Sequence, residues 1–281
     1  METSGNVAFY AALGLGTPII LLSYRCVFIL SRKEYRKHSF CRIFIVSLIS
    51  NSLAFVLLMH NLRFPGIGFF PGYYDAIRDA WWQPLHSFVT RLFYVLSLML
   101  SFVLSLNRVT SLYLEERISE KIWRLFFYLH LPLLITFSGV LNIDVLLNRA
   151  EYVQARDTSG GVFYMFVNYN LMMNIDSYWM IIECALDLIC NILIILKFVH
   201  LRMGQMKRTP FENSLYLISF SNFIVHTATT AMQILLRYNL FPPASLSVAY
   251  LISNAIFDAA LLFPTVAILA LTKEIRTEVK G

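Results

Sequence analysis

The sequence predicts an all-α membrane protein, a seven-transmembrane-helix bundle with its N-terminus outside and its C-terminus cytoplasmic. Three observations predict it. Hydrophobic residues make up 58% of the 281 and charged residues only 14%, where a soluble domain carries about 25% charged residues. Seven apolar segments are each long enough to cross a bilayer, which needs about 20 residues of helix at 1.5 Å rise. The basic residues collect in alternate gaps between those segments, as the positive-inside rule requires. Mean hydropathy is +0.63. A net charge of +6 would otherwise suggest a nucleic-acid partner, but its clustering between apolar runs points to a membrane instead.

The first segment, 8–30, follows the start METSGNVAFY. Glu2 stands where a secretory signal carries basic residues, and no small-residue cleavage site follows, so this segment is read as a retained helix. The second spans 40–62, the third 85–106 and the fourth 123–141. The stretch 162–176, VFYMFVNYNLMMNID, is apolar too. As a helix it would reach only about 22 Å, and an extra span would carry Lys273, Arg276 and Lys280 outside. It is therefore assigned to a long outer loop, as a lid over the helices. The remaining spans are 177–198, 214–236 and 248–271. Residues 1–281 make a single transmembrane domain with no repeat, linker or low-complexity tract.

Direction follows from the cations. With the N-terminus outside, the inner gaps and adjoining helix ends hold sixteen Lys and Arg and the outer ones six, namely Arg63, Arg78, Arg91, Arg149, Arg156 and Arg237. All seven lysines (33, 37, 121, 197, 207, 273 and 280) fall inside. Arg25, near the inner end of the first span, can snorkel to the interface. Cys26, Cys41, Cys184 and Cys190 lie in or at the cytoplasmic ends of apolar segments, so no extracellular disulfide is expected.

Ionisable and amide side chains at bilayer depth are costly and usually face the bundle interior. Glu183, Asp187 and Asn191 recur every four residues and form one stripe on the fifth span. Asn254 and Asp258 do the same on the seventh, with Pro264 a turn and a half further in. The second span carries Asn51 and His60, the sixth Asn222, His226 and Gln233, and the third Arg91. Asn51, Asn222 and Asn254 read equally well as interhelical hydrogen-bond partners, each worth about 0.5–2 kcal/mol. Glu183 and Asp187 point to a water-filled or ligand-facing cavity. Arg91, about 10 Å below the outer surface, is either their counter-ion or an anchor for an anionic ligand, or it snorkels to the headgroups. Aromatics nearby complete a candidate ligand site of Arg91, Glu183, Asp187, Phe88, Tyr178 and Trp179. Trp81 and Trp82 fit an interfacial belt at least as well.

No enzyme, metal or cofactor pattern is present. The six histidines, at 38, 60, 86, 130, 200 and 226, have no metal-ligand spacing. There is no phosphate-binding glycine loop, no Gly-x-Ser-x-Gly elbow and no Gly-Tyr-Gly filter. The expectation is a protein that is not an enzyme, has no cofactor and binds no nucleic acid.

The third span ends SFVLSLNRVTSLYLEERISEKIW, with Asn107 and Arg108 at its inner end and Trp123 opening the next span. The last span reads SNAIFDAALLFPTVAILALTKEIR, with Asn254, Asp258, Pro264 and Arg276. In these two blocks, and in span count and loop lengths, the chain resembles the nematode chemoreceptors called serpentine receptor class gamma (Srg). The resemblance implies a receptor of the G-protein-coupled type that detects small chemicals, in the plasma membrane of sensory neurons and their cilia. It implies a heterotrimeric G protein as partner, with Asn107, Arg108, Asn254, Asp258 and Pro264 as coupling or switch residues. Arg108 matches the arginine that rhodopsin-like receptors place at this helix end, with Asn107 where they carry an acid. The chain departs from those receptors in lacking a Cys-Trp-x-Pro kink in the sixth span and a cysteine tie to the second outer loop. The alternative is a channel or transporter subunit using Glu183, Asp187 and Asp258. Seven spans without matched broken segments speak against it.

Overall fold

In the computed structural model the described residues are all but 1, 79, 148–149, 157–161, 169–172, 204–209, 239, 241, 243–245 and 281. Arg149, Lys207 and Arg208, which enter the charge bias, lie outside them. Helix α1 runs Glu2–Leu30 and the short α2 Lys33–Arg36. α3 (Ser39–Leu58) continues through a π-helical turn, Met59–Arg63, into α4 (Phe64–Gly66), and α5 is Pro71–Ala76. α6 (Gln83–Tyr113) is followed by α7 (Glu116–Leu125), a second π turn (Phe126–His130), α8 (Leu131–Leu141) and α9 (Ile143–Leu147). The strands β1 (Ala150–Arg156) and β2 (Val162–Asn168) precede α10 (Met173–Met203), α11 (Pro210–Arg237), α12 (Leu246–Leu271) and α13 (Lys273–Lys280).

Both π turns sit just ahead of a proline, Pro65 and Pro132. Proline has no N–H to donate and crowds the preceding turn. The backbone answers with wider bonds, from Phe64 N–H to the Met59 carbonyl and from Leu131 N–H to the Phe126 carbonyl. At the second site the two halves of the rod diverge by 47°.

Among the described residues, five helical stretches are long and apolar enough to cross a membrane: Ala12–Leu30, Ser39–Gly66, Gln83–Tyr113, Tyr178–Lys197 and Ile252–Leu271. The bent pair Arg117–Leu129 and Leu131–Leu141 makes a sixth if taken as one span. The predicted span 214–236 lies within α11, a helix of 28 residues. It meets the length requirement but not the hydropathy one, because Ser219, Ser221, Asn222, His226, Thr229, Thr230 and Gln233 dilute its apolar residues.

A second difference is the hairpin. β1 pairs antiparallel with β2, from Ala150 opposite Asn168 to Arg156 opposite Val162, so the architecture is not wholly helical. The run VFYMFVN is rich in β-branched and aromatic residues that suit a pleated surface. Residues 162–168 of the expected lid therefore form a strand, 173–176 begin α10, and 169–172 lie outside the described residues. The hairpin is held by Tyr152, fully buried against the Tyr74 ring with centroids 5.0 Å apart. Burial pushes the Tyr152 hydroxyl above its ordinary pKa range, so it keeps its proton and donates to Asn61 Oδ1 at 3.2 Å.

The rods approach closely through small residues, as membrane helices do. Ser97, Ser101 and Ser105 form a buried stripe on α6. Ser97 donates to Asn51 Oδ1, and Ser50 donates to the Phe93 carbonyl at 3.2 Å. Asn51 is thus an interhelical partner. On α1, a Cβ added to Gly16 would stand 2.4 Å from Phe55 Cζ. The Gly16→Val variant is expected to lose about 1–3 kcal/mol of stability by overpacking. Thermal unfolding of the purified chain would register this as a lower midpoint, whereas Gly14→Val, with nothing within 4 Å of its added Cβ, should change little.

Candidate functional site

At the predicted inner end of the bundle, α6 finishes inside a knot of four helices. Asn107 is fully buried and donates from Nδ2 to Ser39 Oγ at 3.0 Å, at the start of α3. Arg108 donates from Nη2 to Asn107 Oδ1 at 2.6 Å. Its guanidinium lies over the Phe40 ring at 4.3 Å and near the Tyr216 ring of α11 at 5.5 Å. Cation–π attraction strengthens when the charge is desolvated, and Arg108 is only 7% exposed. The sequence reading expected a cation at the membrane–cytosol boundary. The structure places its guanidinium against aromatic rings from two other helices.

The same knot anchors α7. Glu120 accepts the Ser39 backbone N–H at 3.0 Å through Oε1 and pairs with Arg42 at 3.1 Å through Oε2. A carboxylate at the first N–H of α3 also complements that helix's dipole. Trp123 donates from Nε1 to Thr110 Oγ1 at 2.7 Å. Across the same end, Glu278 of α13 pairs with Arg32 and accepts the Tyr35 hydroxyl at 2.6 Å. Ser39, Phe40, Glu120 and Tyr216 carry no sequence signal for this role, because each acts only through its tertiary neighbour.

The expected switch residues of the last span are not in this knot. Asp258 Oδ1 pairs with Arg63 Nη2 at 3.1 Å, and the same nitrogen donates to the Asn254 backbone carbonyl at 3.1 Å. The two side chains are 12% and 10% exposed. Arg63 comes from the π turn at the predicted outer end of the second rod. Asn254 and Asp258 therefore tie α12 to that rod, while Asn107 and Arg108 tie α6 to α3, α7 and α11. Pro264 lies inside α12 and leaves the carbonyl four residues earlier without its helical donor.

Of the expected ligand set, Phe88 and Arg91 lie on α6, and Tyr178, Trp179, Glu183 and Asp187 on α10. Glu183 and Asp187 lie on the buried face of α10 with Asn191. Asn191 Nδ2 donates to Asp187 Oδ1 at 3.0 Å and reaches Ser105 Oγ on α6 at 3.3 Å. Ser105 in turn meets Ser219 of α11 at 3.0 Å. Among the described residues, Arg32 pairs with Glu278, Arg42 with Glu120 and Arg63 with Asp258, so Arg63 is an arginine brought to a membrane carboxylate. Arg91 is half-buried on α6. Trp179 stacks edge-on against Phe137 of α8 with centroids 4.9 Å apart. Phe88 faces α8 as well, its Cζ 3.6 Å from where a Gly139 Cβ would stand. Tyr178 is 59% exposed and turns away from the carboxyl stripe.

An aromatic and histidine cluster closes the predicted outer end. The His60 and His86 rings have centroids 4.8 Å apart, and Trp82 meets His86 at 5.7 Å. Tyr73 hydrogen-bonds His60 Nε2 at 3.0 Å, and Tyr74 donates to the His60 carbonyl at 2.7 Å. Trp81, by contrast, is 86% exposed, as a belt residue would be.

A family model described as Srg family chemoreceptor matches residues 9–279, nearly the whole chain. No curated protein matches it.

Proposed function

Because this chain belongs to the Srg family of chemoreceptors, we propose that it works as a seven-helix receptor that binds a small molecule from outside and signals through a heterotrimeric G protein. In this reading α11 is the sixth of seven spans, the N-terminus is outside, the C-terminus is cytoplasmic, and the receptor sits in the plasma membrane of sensory neurons and their cilia. The observation that carries the coupling role is the contact of Arg108 with Phe40 and Tyr216. A cation held by two rings and one amide can change partners when α3, α6 and α11 move. The ligand sits in the half of the bundle opposite that knot, among Arg91, Phe88, Trp179, Glu183 and Asp187, with Tyr178 at its rim. Apolar pockets with a few polar anchors are the usual form of such sites.

The experiment has two arms. An epitope placed before Ala8 should be reachable on intact cells, and one after Gly281 only after permeabilisation. The opposite pattern would remove the receptor reading, because the basic gaps would face outward. Cells expressing the chain with a promiscuous G protein should then respond to members of a small-molecule panel. A ligand-evoked cation current that persists without any G protein would favour the channel alternative instead.

A further inference from the structure

The interior between α10 and α11 carries a chemistry that the receptor reading leaves open. Two rungs set how these helices lie against each other. Asn191 and Ser219 share Ser105, and Cys184 Sγ meets Thr227 Oγ1 at 3.6 Å. In the antiparallel register these rungs define, Asn222 comes within two residues, about 3 Å of rise, of the level of Asp187, and His226 within the same distance of Glu183. All four side chains are at least nine-tenths buried.

The hydrogen bonding at this level is unbalanced. Glu183 Oε1, Asp187 Oδ2, Asn191 Oδ1 and Asn222 Oδ1 are buried without a hydrogen-bond partner among the described residues. Thr230 Oγ1 and His226 Nδ1, one turn apart on α11, are in the same state. The Asn191 amide is already used by Asp187 and Ser105. Buried acceptors without donors cost about 1–3 kcal/mol each, and charged ones more. Two carboxyls one helical turn apart also repel when both are ionised. One kind of guest relieves both defects, namely a compact positive group with hydrogens or coordination sites for several oxygens. An anionic or purely apolar guest would relieve neither.

We infer that the level of Glu183, Asp187, Asn191 and Asn222 between α10 and α11 is a binding site for a monovalent cation. The cation is either the ammonium head of a small amine ligand or a sodium ion. The inference rests on the chemoreceptor reading only for the amine's role as the sensed chemical. Binding itself needs no coupling. The two carboxyls supply charge, Asn191 and Asn222 supply neutral oxygens, and Ser105 holds Asn191 in place from the third rod.

The test is thermal unfolding of the purified full chain in detergent, with no G protein present and ionic strength held constant with N-methylglucamine chloride. Pentylammonium chloride and sodium chloride are titrated separately, with pentanol and N-methylglucamine pentanoate as uncharged and anionic comparisons. A saturable rise in the unfolding midpoint is expected with pentylammonium, sodium or both, and none with pentanol or pentanoate. Whichever cation stabilises identifies the source. Asp187→Asn and Glu183→Gln should each raise the half-saturating concentration by about tenfold or more. Asn222→Ala, which keeps both carboxyls, should raise it several-fold and serves if a carboxyl variant does not fold. No stabilisation by either cation, equal stabilisation by pentanoate, or an unchanged midpoint response in all three variants would overturn the inference. Stabilisation without any cellular response would count against the coupling reading and leave the cation site standing.

Discussion

Arg108→Ala is expected to abolish G-protein activation while the chain still reaches the cell surface. The guanidinium sits on α6 and touches both α3, through Phe40, and α11, through Tyr216. Its removal leaves a gap beside two rings and takes the donor from Asn107 Oδ1. That should cost about 1–3 kcal/mol of stability from the hydrogen bond, with about 0.5–2 kcal/mol more from each desolvated ring contact. The surface level is therefore expected to fall, so responses must be normalised to it. Arg108→Lys keeps the charge but loses the planar group that stacks on rings, and should recover only part of the response. Arg117 is exposed in the adjoining gap, predicted to be cytoplasmic, and Arg117→Ala should leave signalling unchanged. Normal agonist response from Arg108→Ala, per receptor at the surface, would remove Arg108 from the coupling path.

The second large effect is expected at the Arg63–Asp258 pair. Both side chains are nearly enclosed, and the pair joins the π turn of the second rod to the middle of α12. Removing one partner from a buried pair strands the other charge, which typically costs about 3–5 kcal/mol. Arg63→Ala also takes a donor from the Asn254 carbonyl. Asp258→Asn should lose less, because the amide still offers an oxygen to the guanidinium. Replacing both, as Arg63→Met with Asp258→Leu, should cost far less than the sum of Arg63→Met and Asp258→Leu alone, since no charge is then left buried. Thermal unfolding of the four chains makes a double-mutant cycle. An interaction energy of about 1.5 kcal/mol or more is expected for contacting groups. Strict additivity would mean that the two side chains do not depend on each other.

These two sites differ in how legible they were. Arg108 stood out in the sequence because it closes a long apolar segment beside Asn107. Its partners did not, because Phe40 and Tyr216 are ordinary aromatics about 68 residues upstream and 108 downstream, and a ring becomes a cation's partner only when helices pack. Arg63 was one of six cations assigned to the outer side. Nothing in its neighbourhood marks it as the partner of Asp258, whose own burial was legible from its place in the last span. The stripe of Glu183, Asp187 and Asn191 was readable as a face because helical spacing brings every fourth residue into line. That its opposite wall carries Asn222 and His226 at nearby levels was not readable, because register between two helices is set by contacts such as Cys184 with Thr227.

By itself the sequence determined that this is a largely helical membrane protein and the family it belongs to. These depend on local composition and on spacing along one chain, which hydropathy and charge report directly. The tertiary structure alone decided which buried polar groups meet. It joined Asp258 to Arg63, set Arg108 against two rings, folded 150–156 and 162–168 into a hairpin and left Glu183 Oε1, Asp187 Oδ2, Asn191 Oδ1 and Asn222 Oδ1 without donors among the described residues. The physical reason is that a buried charge or amide is satisfied across helices. The energy of that satisfaction depends on distances of a few ångström between residues that the chain separates by dozens of positions.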